Sequence, residues 1–163
     1  MKRTLLISTL AAALLSPLSH ADEVIRHGLI GSDFPIARAV EIPATATIVN
    51  LSGTVPAIIN ESADKTSLEA FGDTQAQTVS VLKKIDENLK SLGLSMSDVI
   101  KMQVFLVEDP AEGKMDFSGF MKGYTQFFGT EEQPNLPTRS VFEVAGLANP
   151  GWLVEIEVVA VRP

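Results

Sequence analysis

Cysteine is absent from all 163 residues of the chain. The protein can therefore form no disulfide, and catalysis by a thiol or attachment of a lipid to cysteine is excluded as well. Histidine is nearly absent, because His20 and His27 are the only two. His20 belongs to the leader described below, and His27 lies on the first predicted strand, far from the other polar motifs. We therefore predict neither a Ser-His-Asp triad nor a histidine-rich metal site.

Positive charge is also scarce. The chain has 13 lysine and arginine residues against 20 acidic ones, which gives a net charge of −7. The basic residues are scattered, and no basic stripe interleaves with aromatic side chains. Binding to a phosphate backbone depends on clustered lysine and arginine that displace counterions. The composition therefore favours a small-molecule partner over a nucleic acid.

The first 21 residues have the order of a secretory signal peptide. Lys2 and Arg3 form a basic start, residues 5–15 are apolar, and Ser19-His20-Ala21 is a small-x-Ala cleavage site. The apolar run is too short to span a bilayer as a stable helix, and no later segment predicts a membrane anchor. Cleavage after Ala21 would leave one domain, residues 22–163, with a net charge of −9 because Lys2 and Arg3 are lost. We expect a soluble periplasmic or secreted protein.

Hydrophobic periodicity predicts two helices in the mature chain. The first begins at the N-cap Asp73 and ends at Gly93, with apolar residues at helical spacing between them. The second begins near Asp116 and carries an aromatic stripe through Phe128, which is typical of a core-facing helix. Strands are predicted on either side of these helices, at Val24–His27, Ala37–Ile42, Ala46–Leu51, Val99–Val107, Arg139–Ala145 and Leu153–Val161.

This order of elements predicts an α+β fold, a mixed sheet with both helices packed on one face. Such a sheet leaves its other face in contact with water. We therefore expect subunits to pack their sheets together.

Arg139 is the most informative single residue. It follows Pro137 and opens an apolar strand, and the next strand carries Glu155 and Glu157 on one face. A guanidinium presents a planar fork of donors that matches a carboxylate in bidentate fashion, and a nearby carboxylate can direct water. The residues alone leave open that Arg139 is a surface arginine and that Glu155 makes a surface or interface salt bridge.

A set of short motifs occurs in one order along the chain. The motifs are Ser52-Gly53, Gly72-Asp73 with Gln77, 98–106, Asp116-Phe117 followed by Tyr124-Thr125-Gln126-Phe127-Phe128, Pro137-Thr138-Arg139-Ser140 and Val154-Glu155-Ile156-Glu157. Together they resemble the YjgF-like reactive-intermediate deaminase family, also called the RidA family, over about Asp33 to Arg162. The resemblance implies a chorismate-mutase-like fold, a homotrimer with clefts between subunits, and no metal or organic cofactor. It also implies hydrolysis of enamines and imines, such as 2-aminoacrylate, to a 2-keto acid and ammonia.

The resemblance assigns roles to individual positions. Arg139 would grip the substrate carboxylate in bidentate fashion. Glu155 would position the attacking water, with the backbone at Val141 sharing that work, and Gly53 would line the pocket. An imine carbon is already electrophilic, so the reaction needs mostly orientation and a placed water.

Three positions depart from the family pattern. Ile36 and Met121 stand where the family commonly has a tyrosine and an asparagine, and Arg38 replaces a glutamine. Ile36 and Met121 replace hydrogen-bonding side chains of the predicted pocket by apolar ones, which favours a larger or more apolar organic acid.

Two functions from different classes follow. The first is an imine or enamine hydrolase with an altered substrate, and the alternative is a non-catalytic binding protein for a small carboxylate or aromatic ligand. An endoribonuclease activity, reported for some family members, is disfavoured by the acidic charge and by export. A chaperone role is neither supported nor excluded by the sequence.

Overall fold

The structure is a computed structural model that describes residues 23–162. The predicted signal peptide lies outside the described residues. The helices are α1 (Thr74–Ser91) and α2 (Phe117–Tyr124). The strands are β1 (Ile25–Gly28), β2 (Ala37–Glu41), β3 (Thr47–Thr54), β4 (Val99–Leu106), β5 (Glu108–Asp109), β6 (Lys114–Met115), β7 (Thr138–Glu143) and β8 (Val154–Arg162).

The main sheet has four strands in the order β3-β8-β4-β7. β8 is antiparallel to both of its neighbours, whereas β7 is parallel to β4, so the sheet is mixed. β1 and β2 form a separate two-stranded sheet, and β5 and β6 form a short hairpin. The predicted α+β architecture is confirmed, although the first two predicted strands pair outside the main sheet.

Both helices pack on one face of the main sheet, as predicted. Along β8, alternate residues from Val154 to Ala160 are buried in one hydrophobic core, which also contains Leu82, Ile85 and Phe120 from the helices. Side chains alternate between the faces of a strand, so Glu155 and Glu157 point to the opposite face. That face is only partly covered in the described chain.

Both predicted helix starts are confirmed by their caps. The side chain of Asp73 accepts a hydrogen bond from the Ala76 amide at 2.8 Å, and that of Asp116 accepts one from the Gly119 amide at 2.8 Å.

The two helices also contact each other closely. A Cβ at Gly123 would lie only 2.7 Å from the Cβ of Thr78, so glycine is required there by the space available.

α2 is shorter than the helix predicted from the aromatic stripe, which extended through Phe128. The helix ends at Tyr124, and the chain leaves it through a turn that leads to Gly129, whose φ is 76°. Glycine adopts this left-handed conformation without steric cost, which lets the chain change direction after the turn that follows the helix. The rings of Tyr124 and Phe128 nevertheless stack, with centroids 5.0 Å apart, so the stripe describes the core even beyond the helix.

The β5–β6 hairpin was not predicted. Strands of two residues are too short to show alternation, and Asp109-Pro110 indicated only the end of β4. The Asp109 carboxylate is buried and accepts hydrogen bonds from the Ala111 amide at 2.9 Å and the Thr74 hydroxyl at 3.2 Å. This carboxylate therefore ties the hairpin to the first turn of α1.

Gln77 joins α1 to the start of β8. Its amide nitrogen donates to the carbonyl oxygens of Gly72 and Gly151, each at 2.9 Å, and its amide oxygen accepts from the Leu153 amide at 2.7 Å. The side chain is fully buried. Because Leu153 immediately precedes β8, this amide fixes where the strand that carries Glu155 begins.

We expect Gln77→Leu to lower the free energy of unfolding by about 2–4 kcal/mol. The substitution keeps the volume similar but removes the partner of the buried Gly151 carbonyl and Leu153 amide and of the partly buried Gly72 carbonyl. Urea denaturation at a fixed protein concentration measures the change. Gln75→Leu, at a partly buried position two residues earlier, is the control and should change stability by less than about 0.5 kcal/mol. Equal effects of the two substitutions would contradict the role of the Gln77 bonds.

Candidate active site around Arg139

Arg139 lies on the helix face of the edge strand β7, where it pairs in register with the buried Met102 of β4. Its guanidinium is surrounded by three aromatic rings. The Cζ atom is 4.2 Å from the ring centroid of Tyr124, 5.1 Å from that of Phe120 and 5.4 Å from that of Phe34. A cation over aromatic faces is attracted by the ring quadrupole, more strongly where water is excluded.

The guanidinium has an unused donor. Nη1 of Arg139 is buried and has no hydrogen-bond partner among residues 23–162. Within the same part of the chain, Arg139 forms no salt bridge. Burial lowers the pKa of Arg139 from its ordinary value, and the neighbouring Tyr124 opposes that shift. A partly desolvated cation with an unsatisfied donor can donate strong hydrogen bonds to a carboxylate.

Tyr124 forms the wall of this site and is itself held in place. Its hydroxyl donates to the carbonyl oxygen of Pro35 at 2.9 Å. Burial raises the pKa of Tyr124 to about 12, and the nearby Arg139 cation offsets only part of that shift. The phenol is therefore neutral at ordinary pH, and its one proton is committed to Pro35.

The segment around Pro35 is attached to the start of β7. The amide of Ala37 donates to the carbonyl of Pro137 at 2.9 Å, two residues before Arg139. Ile36 is partly buried within this segment. Met121 follows Phe120 on α2 and packs partly buried against the core. The structure thus places Ile36 and Met121 on the two elements that supply the rings around Arg139.

Gly53 and Glu155 form a second group on neighbouring strands. The pairing of β3 with β8 is irregular between Leu51 and Thr54, and Gly53 lies in this irregularity. A Cβ at Gly53 would overlap the Oε1 atom of Glu155, so the carboxylate occupies the space that a side chain would need. Glycine at this position therefore lets the Glu155 carboxylate lie directly against the β3 backbone.

The two groups are not brought together within one chain. Arg139 pairs with Met102 and Glu155 pairs with Phe105, so they lie three residues apart along the strands and two strands apart across the sheet. Strand geometry then separates their Cα atoms by roughly 14 Å. They also project to opposite faces, because Arg139 contacts the helix-side rings whereas Glu155 alternates with the buried Val154 and Ile156. Val141 lies on the helix face, as Arg139 does.

Sequence reasoning missed Phe34, Phe120 and Tyr124 as contacts of Arg139. A signal was present for two of them, since Phe120 and Tyr124 are four residues apart and share one face of α2. Phe34 comes from a loop and gave no periodic signal.

In the described part of the chain, no group of three or more histidine, aspartate or glutamate side chains could hold a metal ion. None of the described helices is long and apolar enough to cross a membrane.

This α+β fold agrees with comparisons to known proteins. The family model described as Endoribonuclease L-PSP matches residues 34–162. A RutC family protein of Haemophilus influenzae is 32% identical over 132 residues, which cover 78% of this chain and 87% of the relative. TdcF of Escherichia coli, named as a proposed reactive intermediate deaminase, is 38% identical over 94 residues, or 58% of this chain and 67% of TdcF. The chain belongs to this family, also known as the YjgF or Rid family, which confirms the resemblance found in the motifs.

Solved structures show the same fold. The crystal structure of E. coli TdcF with bound serine has a TM-score of 0.56 and 30% identity, and the match covers 85% of this chain and 94% of TdcF. The Rid-family protein YyfB of Yersinia pestis has a TM-score of 0.62 and 25% identity, covering 85% of this chain and 96% of YyfB.

Tyr124 provides a direct test of the site's burial, because it is the only tyrosine in the chain. We expect the folded protein to show phenolate absorbance at 295 nm only as the pH approaches about 12, and the unfolded protein to show it near 10. The raised pKa means that the folded state holds this proton more tightly. Stability from this group is therefore complete below about pH 10 and is lost as the pH rises from there towards 12. Titration of the folded protein near pH 10 would contradict the burial of Tyr124.

Proposed function

We propose that this protein hydrolyses the imine or enamine of a small organic acid to a 2-keto acid and ammonia. The observation that carries the proposal is the buried, unpaired Nη1 of Arg139 inside an aromatic cage. A substrate carboxylate would satisfy this donor, and the cage would hold the guanidinium plane in one orientation. Membership of a family that includes TdcF supports the same reaction class.

The reaction is balanced without any cofactor. The oxygen of water adds to the iminium carbon, and the carbon–nitrogen bond then breaks. Both protons of the water end on the departing nitrogen. A 2-iminium carboxylate and one water thus give a 2-keto carboxylate and ammonium. Glu155 is the candidate group to orient the water and accept its proton, and Arg139 would hold the carboxylate next to the reacting carbon.

We further propose that the site is completed by a second copy of the chain, in a homotrimer with clefts between subunits. The separation of Arg139 and Glu155 on opposite faces supports this proposal, because one chain cannot present both to one substrate. The open face of the sheet and its edge strands also carry exposed apolar side chains, including Ile48 (42% exposed) and Phe142 (45% exposed). Surfaces of this kind are commonly buried by association.

The alternative is a binding protein for a small carboxylate that performs no chemistry. It is favoured by the apolar Ile36 and Met121 near the cage and by the commitment of the Tyr124 hydroxyl to Pro35. Saturable thermal stabilisation by a carboxylate, lost in Arg139→Ala and unaccompanied by turnover, would establish this function instead.

An endoribonuclease activity, which the family model's description names, remains disfavoured by the net charge of −7. We also propose a periplasmic or secreted location, on the basis of the signal peptide predicted from the sequence of residues 1–21.

We expect Arg139→Ala to reduce kcat/KM for imine hydrolysis by at least about 100-fold. The substitution removes the charge-assisted bonds to the substrate carboxylate. The assay follows keto acid or ammonia released from a 2-imino acid that is generated in place by an amino-acid oxidase. Arg38→Ala, at an exposed arginine on β2, is the matched control and should retain activity. Activity of Arg139→Ala equal to the parent protein would refute the assignment, and no acceleration by the parent protein with any imino acid would refute the proposed reaction.

We expect Gly53→Ala to lower kcat by at least about tenfold while changing the free energy of unfolding by less than about 1 kcal/mol. The added methyl group would occupy the position of Glu155 Oε1, and the flexible carboxylate can turn away at little cost in stability. Gly146→Ala is the control, because its Cβ would meet nothing within 4 Å. A fully active Gly53→Ala protein would argue against a role for the Glu155 carboxylate in positioning water.

A further inference from the structure

Arg26 ties the starts of two strands together. Its side chain extends from β1, outside the main sheet, and donates three hydrogen bonds to backbone carbonyl oxygens. Nη1 donates to Val99 at 2.9 Å and to Leu136 at 3.0 Å, and Nη2 donates to Ser97 at 2.7 Å. Ser97 and Val99 lie at the entry to β4, whereas Leu136 lies two residues before β7. One guanidinium therefore connects the entries of two strands that run in parallel.

The two bonds of Nη1 fall at matching positions of β4 and β7. The ladder between these strands begins with the pair of Lys101 and Thr138, and both acceptors of Nη1 lie two residues before that pair. The two bonds thus continue the register of the ladder beyond its first pair. A shift of β7 by one residue would move the Leu136 carbonyl away from Nη1 and turn the side chain of Arg139 to the opposite face of the sheet.

The position of β7 depends strongly on contacts of this kind. β7 is an edge strand, so within the main sheet it pairs only with β4. Its connection from β4 runs through residues 107–137, and a crossover of that length does not fix the register as a tight hairpin turn does. The amide of Ala37 donates to the carbonyl of Pro137 and adds a second anchor at the same point. Both anchors hold the segment that leads directly into Arg139.

The guanidinium of Arg26 is committed to this backbone contact. Partial burial lowers its pKa, and the nearby Asp98 opposes that shift. The Asp98 carboxylate is itself engaged by the amide and the hydroxyl of Ser95, at 2.7 and 2.9 Å, and Arg26 forms no salt bridge within residues 23–162. Hydrogen bonds from a charged donor are stronger than those between neutral groups. Arg26 therefore serves to hold backbone in place.

We infer that Arg26 is a positioning residue, which fixes the register of β7 against β4 and thereby holds Arg139 in its aromatic cage. The inference rests on the proposed function, in which Arg139 binds the substrate carboxylate. Arg26 contacts Leu136, three residues before Arg139, and so acts through the backbone. Misplacement of a binding group by about 1 Å can reduce a reaction rate by on the order of 100-fold.

Hydrogen exchange tests the register directly. Arg26→Met keeps a similar length but removes all three donors. We expect the amides of residues 138–143 to exchange at least about tenfold faster in this variant, while those of β3, at the other edge of the sheet, change by less than about twofold. Arg162→Met is the matched control, because Arg162 also donates to a backbone carbonyl, that of Leu92 at 2.6 Å, which lies at the end of α1. It should leave the exchange of residues 138–143 unchanged.

Kinetics distinguish positioning from a general loss of structure. We expect Arg26→Met to lower kcat/KM for imine hydrolysis at least about tenfold in the parent protein, but by less than about twofold further in Arg139→Ala, since a side chain must be present to be positioned. Equal losses in the two backgrounds would show a merely structural role. If Arg26→Met does not fold, Arg26→Lys takes its place. It retains the cation and one donor nitrogen, and we expect smaller changes in the same directions.

The outcomes separate this inference from the proposed reaction. No acceleration of imine hydrolysis by the parent protein overturns the proposed reaction, and hydrogen exchange then decides the inference by itself. Faster exchange confined to residues 138–143 supports the inference. Unchanged exchange there, or an equal increase in β3, overturns it whatever the activity.

Discussion

The alternation of side chains along β7 and β8 constrains everything else in the molecule. The hydrophobic core requires Val154, Ile156 and Val158 to face the helices, and this requirement sends Glu155 to the opposite face. The same rule on β7 places Arg139 against the rings of α2. A one-residue change of register would reverse both assignments and would also expose the core. The separation of Arg139 and Glu155, the two candidate functional groups, is therefore a direct result of how the core is packed.

The environment of Arg139 removes water from its cation and also stabilises that cation with aromatic rings. Partial burial removes water from the guanidinium, and no carboxylate in residues 23–162 replaces it. The rings of Phe34, Phe120 and Tyr124 stabilise the cation from its faces but leave hydrogen-bond donors in its plane unsatisfied. A buried donor without a partner is expensive. A bound anion would recover that free energy, so the surroundings of Arg139 favour a ligand of opposite charge.

The sequence predicted the long elements well and the short ones poorly. α1 and the strands of the main sheet have enough residues to show their periodicity, and Asp73 and Gly93 mark the ends of the first helix clearly. The β5–β6 hairpin is held by local bonds of Asp109, and α2 ends at Tyr124 before a turn that leads to Gly129; hydrophobic periodicity reports neither feature. For the site, the motif resemblance identified Arg139, Glu155 and Gly53 as candidates. It could not show that Arg139 lies in an aromatic cage, since Phe34 reaches it from a loop more than 100 residues away.

The close contact between α1 and α2 at Gly123 has a consequence for the cage. Two rings of the cage lie on α2, and Gly123 lets that helix approach α1 to within contact of the Thr78 side chain. Any larger side chain at this position would push α2 outward and lift Phe120 and Tyr124 away from the guanidinium. The depth of the arginine site is thus determined on the far side of the helix, where no ligand reaches. Substitutions at this helix contact could tune how tightly the cation is enclosed without altering a single residue that touches it.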